Sequence, residues 1–325
     1  MVHESTNRPT VPLSVRVISY KYDKWLPQCL DGIEQQSVQP VEVVVSDDSS
    51  PPPHGQAFQD LAPQFPWARF QSTPANIGAV AHMRWLLAEI PTRYYLLLSA
   101  DDWLVDPHFL RDAVALLDAN PSVIAVSGQN LPVDPQGQIL RSKAPTQEPL
   151  IGIVPALQMR DLLAIDNVVP AVCTVVRTSV HEQIPPFPLD NALCHDWMQW
   201  YLMTFQGDFA VIGRTAVHYR VHPQSLSSQL MADSRAARLT NEMYLQLLQQ
   251  PQLSAHDRQM LRAGQIRKRM RFSRFPQLWR AVWQAPLQRA TWLALTDTLT
   301  ERVASRLDRV RLTARPKNAG RQHEH

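Results

Sequence analysis

The chain is poor in glycine and cysteine, and it has no long apolar run. Ten of its 325 residues are glycine against 27 prolines, so loops are stiffened by proline more often than loosened by glycine. No G-x-G-x-x-G occurs, which excludes a glycine-rich dinucleotide fingerprint. The three cysteines, Cys29, Cys173 and Cys194, are scattered without paired metal-ligand spacing. That pattern excludes a disulfide scaffold and fits a reducing compartment. No stretch of about eighteen apolar residues exists, and the opening "MVHESTNRPTVP" holds no apolar signal segment. The expected location is cytoplasmic, with peripheral attachment to the inner membrane left open.

Acid is missing from the end of the chain. Residues 1–257 carry 16 Lys and Arg against 25 Asp and Glu, whereas residues 258–325 carry 16 against 4. An acidic body and a basic tail are to be read as separate regions. Hydrophobic residues make up 45% and charged residues 19%, ordinary values for a globular enzyme able to bury a full core.

Short β-branched or apolar runs alternate with helical periodicity along the first 120 residues. "LSVRVISY" (Leu13–Tyr20), "VEVVVS" (Val41–Ser46), a short segment near "WARFQ" and "YYLLLS" predict four strands. Three prolines close the second of these, because proline cannot continue a ladder. Helical spacing follows in Trp25, Leu26, Cys29, Leu30 and Ile33, in Val80, Met83, Leu86 and Leu87, and in Phe109, Leu110, Val114 and Leu117. Strand then helix, repeated, predicts a mostly parallel, doubly wound α/β sheet with helices on both faces. Further strands are expected at "SVIAVSGQ" and "PAVCTVVRTSV", joined by a proline-rich connection, and another after Gly207. From about Ala232 the chain reads as helical.

In such sheets ligands bind outside the carboxyl ends of the strands. Two acid pairs, Asp47–Asp48 and Asp101–Asp102, follow strands at that rim. Alternation puts Ser99 and Asp101 on one face and Asp102 on the other. A carboxylate beside a hydroxyl is a hard-oxygen environment suited to Mg²⁺ or Mn²⁺. The same acids would also serve as a helix cap, since negative charge is favourable near a helix N-terminus.

The order "CLDGIEQQSVQPVEVVVSDDSS", then "NIG", then "LLLSADDWL", then "CHDW", then "YRVHPQSLSS" resembles the family 2 glycosyltransferases. The resemblance spans about Leu13 to Ser228. It implies a GT-A, Rossmann-like fold, a nucleotide-sugar donor (a UDP-sugar foremost) and a divalent metal, Mn²⁺ or Mg²⁺. Carried over residue by residue, Ile18, Ser19 and Tyr20 would line the nucleobase pocket. Asp47 or Asp48 would accept hydrogen bonds from base or ribose, and Asn76 with Gly78 matches the family's N-x-G loop. Asp101 would hold the metal on the diphosphate, in a turn that includes Ala100. Asp102 would orient the loop or a sugar hydroxyl, and His222 would contact metal or phosphate. Asp196 would be the general base, and Arg84 is the nearest match to the family's arginine after N-x-G. Ser99 stands where many relatives carry the first Asp of D-x-D, which departs from the pattern.

The chemistry asks for these residue types. Expelling a nucleoside diphosphate requires positive charge against the leaving group, and a hydroxyl acceptor must lose a proton during attack. A single base opposite the leaving group implies inversion at the anomeric carbon. Other readings of the residues stand beside these: turn chemistry for Asp47–Asp48, an N-cap for Asp196 and a solvated loop for His222. Trp103 and Trp197 would stack on sugar or simply pack, and His195, His218 and the cysteines default to structure. An alternative function is a degenerate nucleotide-sugar or glycan-binding module that lost turnover with Ser99.

In the basic tail, "RQMLRAGQIRKRMRFSRFPQLWRAVWQ" interleaves arginine with Phe272, Phe275, Leu278, Trp279 and Trp283. It fits an interfacial helix contacting a membrane through residues 258–290, or aromatics packed on the body with arginines in water. A nucleic-acid partner is the weaker fit. The family's acceptors imply a glycan or lipid-linked precursor in bacterial surface-glycan or polysaccharide assembly. The expected organisation is a tail at 1–12, a catalytic domain at 13–230, a basic helical region at 231–312 and a disordered end at 313–325.

Overall fold

The computed structural model describes residues 9–140, 150–185, 191, 193–232 and 235–272. Phe275, Leu278, Trp279, Trp283 and the end at 313–325 lie outside the described residues, as do most of the segment 258–290 and residues 1–8. The elements run β1 (Thr10–Ser19), α1 (Leu26–Glu34), β2 (Gln39–Asp47), α2 (His54–Leu61), β3 (Arg69–Ser72), α3 (Ala79–Leu87) and β4 (Tyr94–Ser99). Then come β5 (Trp103–Leu104), α4 (Phe109–Ala119), β6 (Val123–Val133), β7 (Gly152–Val154), α5 (Ala156–Ile165), β8 (Thr174–Arg177) and α6 (Thr178–His181). The last are α7 (His195–Met203), β9 (Asp208–Arg220), α8 (Leu226–Ala232), α9 (Arg235–Leu248) and α10 (Ala255–Phe272). The chain divides into two compact units, Met1–Met243 and Tyr244–His325. The described part of the second is the end of α9 followed by α10, helical as the sequence pattern predicts.

The sheet order is β3-β2-β1-β4-β8-β6-β9-β5, with β7 also on β9. Its first half is wholly parallel: β1 pairs with β2 and β4, and β2 with β3. Leu13, Val15 and Val17 are fully buried, and so are Ser14 and Arg16 between them. Both faces of β1 are therefore covered, which explains why its sequence is apolar without clean alternation. Each such valine or leucine contributes about 1.5–3 kcal/mol by leaving water. In α1 the buried residues are Leu26, Cys29, Leu30, Gly32 and Ile33, and α4 buries Phe109, Leu110, Val114 and Leu117. In α3 one position of the expected face differs: His82 is buried, while Met83 is half-buried and turns to a cleft.

The second half of the sheet is mixed. β8 runs antiparallel to β4 and β6, and β5 and β7 run antiparallel to β9. The stretch around Cys173 is a helical turn before the short β8, not one continuous strand. The connection expected to be merely proline-rich holds β7 and α5. β9 is 13 residues long and lies parallel to β6. Its far end pairs His218 with Trp103 and Val217 with Leu104, so it reaches the turn that follows β4.

Register aligns the strand ends at one rim. Ile18 is level with Ser99, Ser19 with Asp47, and Asp47 with Ser72. Beneath this rim α1 presses on β5, and Gly32 is the point of closest approach. A Cβ there would lie 2.8 Å from the Leu104 carbonyl oxygen and 3.0 Å from its nitrogen. Gly32→Ala is thus expected to destabilise the fold by about 1–3 kcal/mol through overpacking, read as a lower urea midpoint.

Candidate active site

The turn after β4 is built on Ser99. Its carbonyl accepts the Asp102 N–H at 3.0 Å, and its hydroxyl donates to Asp101 Oδ1. Ala100 is fully buried and donates its N–H to the Ile18 carbonyl, anchoring the turn to the central strand. Ser99 and Asp101 are thus joined across a turn beyond the end of β4, and Asp102 lines the same cleft, whereas strand alternation puts it on the opposite face. Asp101 Oδ2 lies 2.9 Å from His222 Nε2, and both residues are buried.

Arg220, the last residue of β9, locks this turn from behind. Its backbone N–H donates to Asp102 Oδ1 at 2.7 Å, and its guanidinium donates to the Asp101 carbonyl, the Pro135 carbonyl and Gln28 Oε1. The guanidinium also lies 5.2 Å from the Trp25 ring and 4.7 Å from the Trp103 ring. Trp103 is therefore a packing residue for the arginine. Asp102 keeps one oxygen, Oδ2, buried with no partner among the described residues. Burial, then the charge of Asp101, pushes the Asp102 carboxyl well above the ordinary carboxylate range. Arg220→Met is expected to destabilise by about 3 kcal/mol or more, because the Asp101 and Pro135 carbonyls and Gln28 lose their charged donor; denaturant unfolding measures this.

On the neighbouring strand the two acids have separate tasks. Asp47 accepts both the N–H and the hydroxyl of Ser50 at 2.7 Å, an Asx turn that ends β2. Asp48 accepts from Thr73 Oγ1, Asn76 Nδ2, and the Ile77 and Gly78 N–H groups, all within 3.0 Å. It is the fastening of the "NIG" loop. Gly78 sits at φ +84°, a left-handed backbone that favours glycine. Below the loop, Ser46 Oγ and His82 Nε2 are 2.7 Å apart and buried.

Burial pushes the His82 imidazole below its ordinary 6.5, with Asp48 opposing. The unfolded chain then takes up a proton that the folded chain refuses. The stability due to neutral His82 is present above about pH 6.5 and is lost as pH falls through that value toward the folded pKa. His82→Gln is expected to flatten the slope of stability between about pH 7 and about pH 5, read by urea unfolding.

Across the rim, Asp196 stands in the first turn of α7. Its Oδ1 accepts the Trp197 N–H at 2.7 Å, and its Oδ2 accepts from Asn167 Nδ2 at 3.1 Å. Trp197 is buried with its indole N–H on the Leu163 carbonyl, so it packs and does not offer a sugar platform. Tyr219 links the two sides electrostatically, feeling Asp102, Asp101 and Asp196 together. Burial first, then these acids, push its phenol up to about 12, so it stays protonated at neutral pH.

One cleft of about 1690 Å³ collects most of the sequence-predicted residues on its wall: Ile18, Ser19, Tyr20, Asp48, Asn76, Arg84, Ser99, Asp101, Asp102 and Asp196. Asp47, Ala100 and His222 do not line it. They are in the Asx turn, in the core and behind Asp101, where His222 packs against Tyr22 and Trp25. Cys29, Cys173 and Cys194 are free and buried. Sequence reasoning missed Arg220, Asn167 and His82. The "YRVH" segment carried the signal for Arg220, but only its histidine received a role.

Among the described residues no group of three or more His, Cys, Asp or Glu side chains is arranged to hold a metal ion. The donor set that does stand at the rim is Asp101 with His222. Gln224 Oε1 lies 3.2 Å from His222 Nδ1, so the imidazole is held between a side-chain amide and the Asp101 carboxylate. Such a small set fits Mg²⁺ or Mn²⁺, which commonly use one or two protein ligands plus substrate phosphates.

The family model for glycosyl transferase family 2 matches residues 14–184. Two uncharacterized mycobacterial proteins, Rv1520 of Mycobacterium tuberculosis and Mb1547 of Mycobacterium bovis, are each 25% identical over 227 residues, 69% of this chain. The chain spans 62% of the length of these curated relatives. Among solved structures, residues 1–349 of S. aureus TarS in complex with UDP-GlcNAc superpose with a TM-score of 0.61 at 18% identity, covering 88% of this chain and 80% of that one. The mannosyltransferase PcManGT from Pyrobaculum calidifontis, in complex with GDP-Man and Mn²⁺, gives 0.57 at 16% identity, covering 96% and 82%. The fold is the GT-A, Rossmann-like α/β arrangement, and the matched stretch carries the β1, β2 and β4 strand ends that form the rim. The chain belongs to glycosyl transferase family 2.

Proposed function

We propose that the chain is an inverting, metal-dependent glycosyltransferase that moves a sugar from a nucleoside diphosphate sugar to a hydroxyl of a glycan or lipid-linked acceptor. The observation that carries this reading is that Asp101 and Asp196 line one cleft together. A UDP-sugar is the favoured donor, supported by the likeness to the TarS complex with UDP-GlcNAc. Use of a divalent cation is supported by the PcManGT complex with Mn²⁺ and by the oxygen and nitrogen donors that Asp101 and His222 bring together.

Asp101 would hold the cation, with His222 against the same carboxylate oxygen. When bound, Mn²⁺ or Mg²⁺ supplies positive charge against the departing diphosphate. The residues of this chain do the rest. Ser99 and His222 grip the two oxygens of Asp101 and fix its direction. Asp48 holds the Asn76–Gly78 loop at the donor side, where Ile18, Ser19 and Tyr20 face the base. Asp196 takes the acceptor proton on a carboxylate oxygen, and Asn167 orients that carboxylate. Attack from the Asp196 side, opposite the leaving group, inverts the anomeric carbon.

No helix among the described residues is long and apolar enough to cross a membrane. Cytoplasmic work on a surface-glycan precursor, with membrane contact through 258–290, belongs to the same proposal.

The test pairs binding with turnover. UDP- and GDP-sugars should raise the melting temperature, with a further rise on adding Mn²⁺. Asp101→Ala should remove the Mn²⁺ increment. Asp196→Asn should leave donor affinity unchanged and lower kcat by about 10²–10⁴-fold. Donor binding without transfer or hydrolysis would favour the degenerate binding module, and absence of any nucleotide effect would remove the donor reading.

A further inference from the structure

The cleft gathers acids where a negatively charged donor is expected to bind. Asp48, Asp101, Asp102 and Asp196 all line it, and a donor diphosphate brings further negative charge to the same place. Asp102 is pushed toward its neutral form, and the lysine and arginine side chains that line the cleft beside the acids are Lys21, Lys24 and Arg84. The chain has five lysines in all, and Lys21, Lys24 and Lys143 are the ones before residue 258. Lys21 and Lys24 stand three positions apart in the loop between β1 and α1, and both line the cleft. Both are exposed, and neither is engaged in an ion pair among the described residues.

Their positions are built. Lys24 Nζ lies 3.9 Å from the Trp25 ring centroid, that ring lies 4.4 Å from the His222 ring, and His222 Nε2 lies 2.9 Å from Asp101. This chain of contacts ties the position of the Lys24 ammonium to the Trp25 ring that covers His222, the partner of Asp101. Lys21 has its own constraint: φ is +62°, a left-handed backbone unusual for a residue with a side chain. Its N–H donates to Ser50 Oγ at 2.8 Å, and that hydroxyl is held by Asp47. The acid and serine that end β2 thereby fix the backbone of Lys21 at the cleft mouth, with its ammonium 4.8 Å from the Tyr20 ring. Backbone strain of this kind persists where surrounding bonds over-determine it, and it clusters at ligand sites. Exposed lysine–aromatic contacts are weak, so either ammonium can exchange its ring for a phosphate oxygen.

We propose that Lys21 and Lys24 form a cationic clamp for the donor diphosphate, acting beside the cation at Asp101 and contributing to binding without it. The inference rests on the donor reading above and adds the residues that hold the phosphates. Lysine suits the task as a compact charge on a flexible stem, able to follow the phosphate as the sugar leaves.

The test is calorimetric titration with UDP, uridine and inorganic pyrophosphate, each with Mn²⁺ and with EDTA. It uses the full chain and the variants Lys21→Asn, Lys24→Gln, Lys24→Arg and the Asn/Gln double. Asparagine keeps the left-handed backbone available at position 21, so loss of charge is separated from loss of fold. In the wild type, UDP and pyrophosphate should still bind in EDTA. The double variant should lose about tenfold or more in both conditions, with uridine affinity and melting temperature unchanged. Lys24→Arg should restore most of the loss. A double variant that binds UDP and pyrophosphate as tightly as wild type overturns the clamp and leaves the donor reading intact. Equal weakening of uridine also overturns it, by showing a structural role. A wild type that binds none of the three removes both readings.

Discussion

A guanidinium cannot be left dry without partners, and Arg220 is 2% exposed at the end of a 13-residue strand. Its desolvation is compensated by carbonyls from two turns, by Gln28, and by two indole rings. Satisfying that one group fixes several elements at once: the start of α1 through Trp25 and Gln28, the turn after β4, and the segment at Pro135. The backbone of the same residue holds Asp102. The Asp101–Asp102 turn therefore depends on a contact 118 residues away in sequence. Burial and the charge of Asp101 both oppose ionisation of Asp102, and the Arg220 backbone N–H and charge act against that shift.

The same logic explains what could be read from the sequence and what could not. β1, β2 and β4 announced themselves because strands covered on both faces must be apolar throughout, and the acids that end them mark the carboxyl rim. The faces of α1 and α4 followed from simple helical spacing. β5 was invisible: two residues, Trp103 and Leu104, become a strand only because β9 arrives beside them. β7 and α5 were hidden in a proline-rich stretch where one proline, Pro155, is the N-cap of the helix. His82 replaced Met83 on the buried face because a serine on β2 offers it a hydrogen bond, a pairing no local periodicity encodes.

At the site, residue types were legible and duties were not. Asp47 and Asp48 are adjacent and chemically identical, yet one ends a strand and the other fastens a loop around Gly78. The distinction comes from which backbone N–H groups fold back onto each carboxylate. His222 was legible as a polar residue after the last strand, but its burial behind Asp101 depends on Tyr22 and Trp25 closing over it. Arg220, two residues earlier, received no role, because its burial depends on Trp25, Trp103 and the turns that close over it, none of which is near it in sequence.

Ser99 is the departure from the family pattern, and its environment supplies a physical reason for it. Asp102 is already driven toward its neutral form by burial and by Asp101, and Asp48 stands on the adjoining wall. A carboxylate at position 99 would face Asp101 across the same turn, adding a like charge where the rim is least hydrated. A hydroxyl there donates instead of repelling, and it fixes Asp101 Oδ1 while His222 engages Oδ2. The serine thus leaves Asp101 and Asp102 as the two acids of this turn, with Asp101 pre-aimed by a bond to each of its oxygens. It also shifts the balance of charge at the rim toward neutrality, so that a diphosphate meets less repulsion before any cation arrives. Ser99 is in this respect part of the same electrostatic arrangement as Arg220: one removes negative charge from the rim, and the other neutralises what remains from behind.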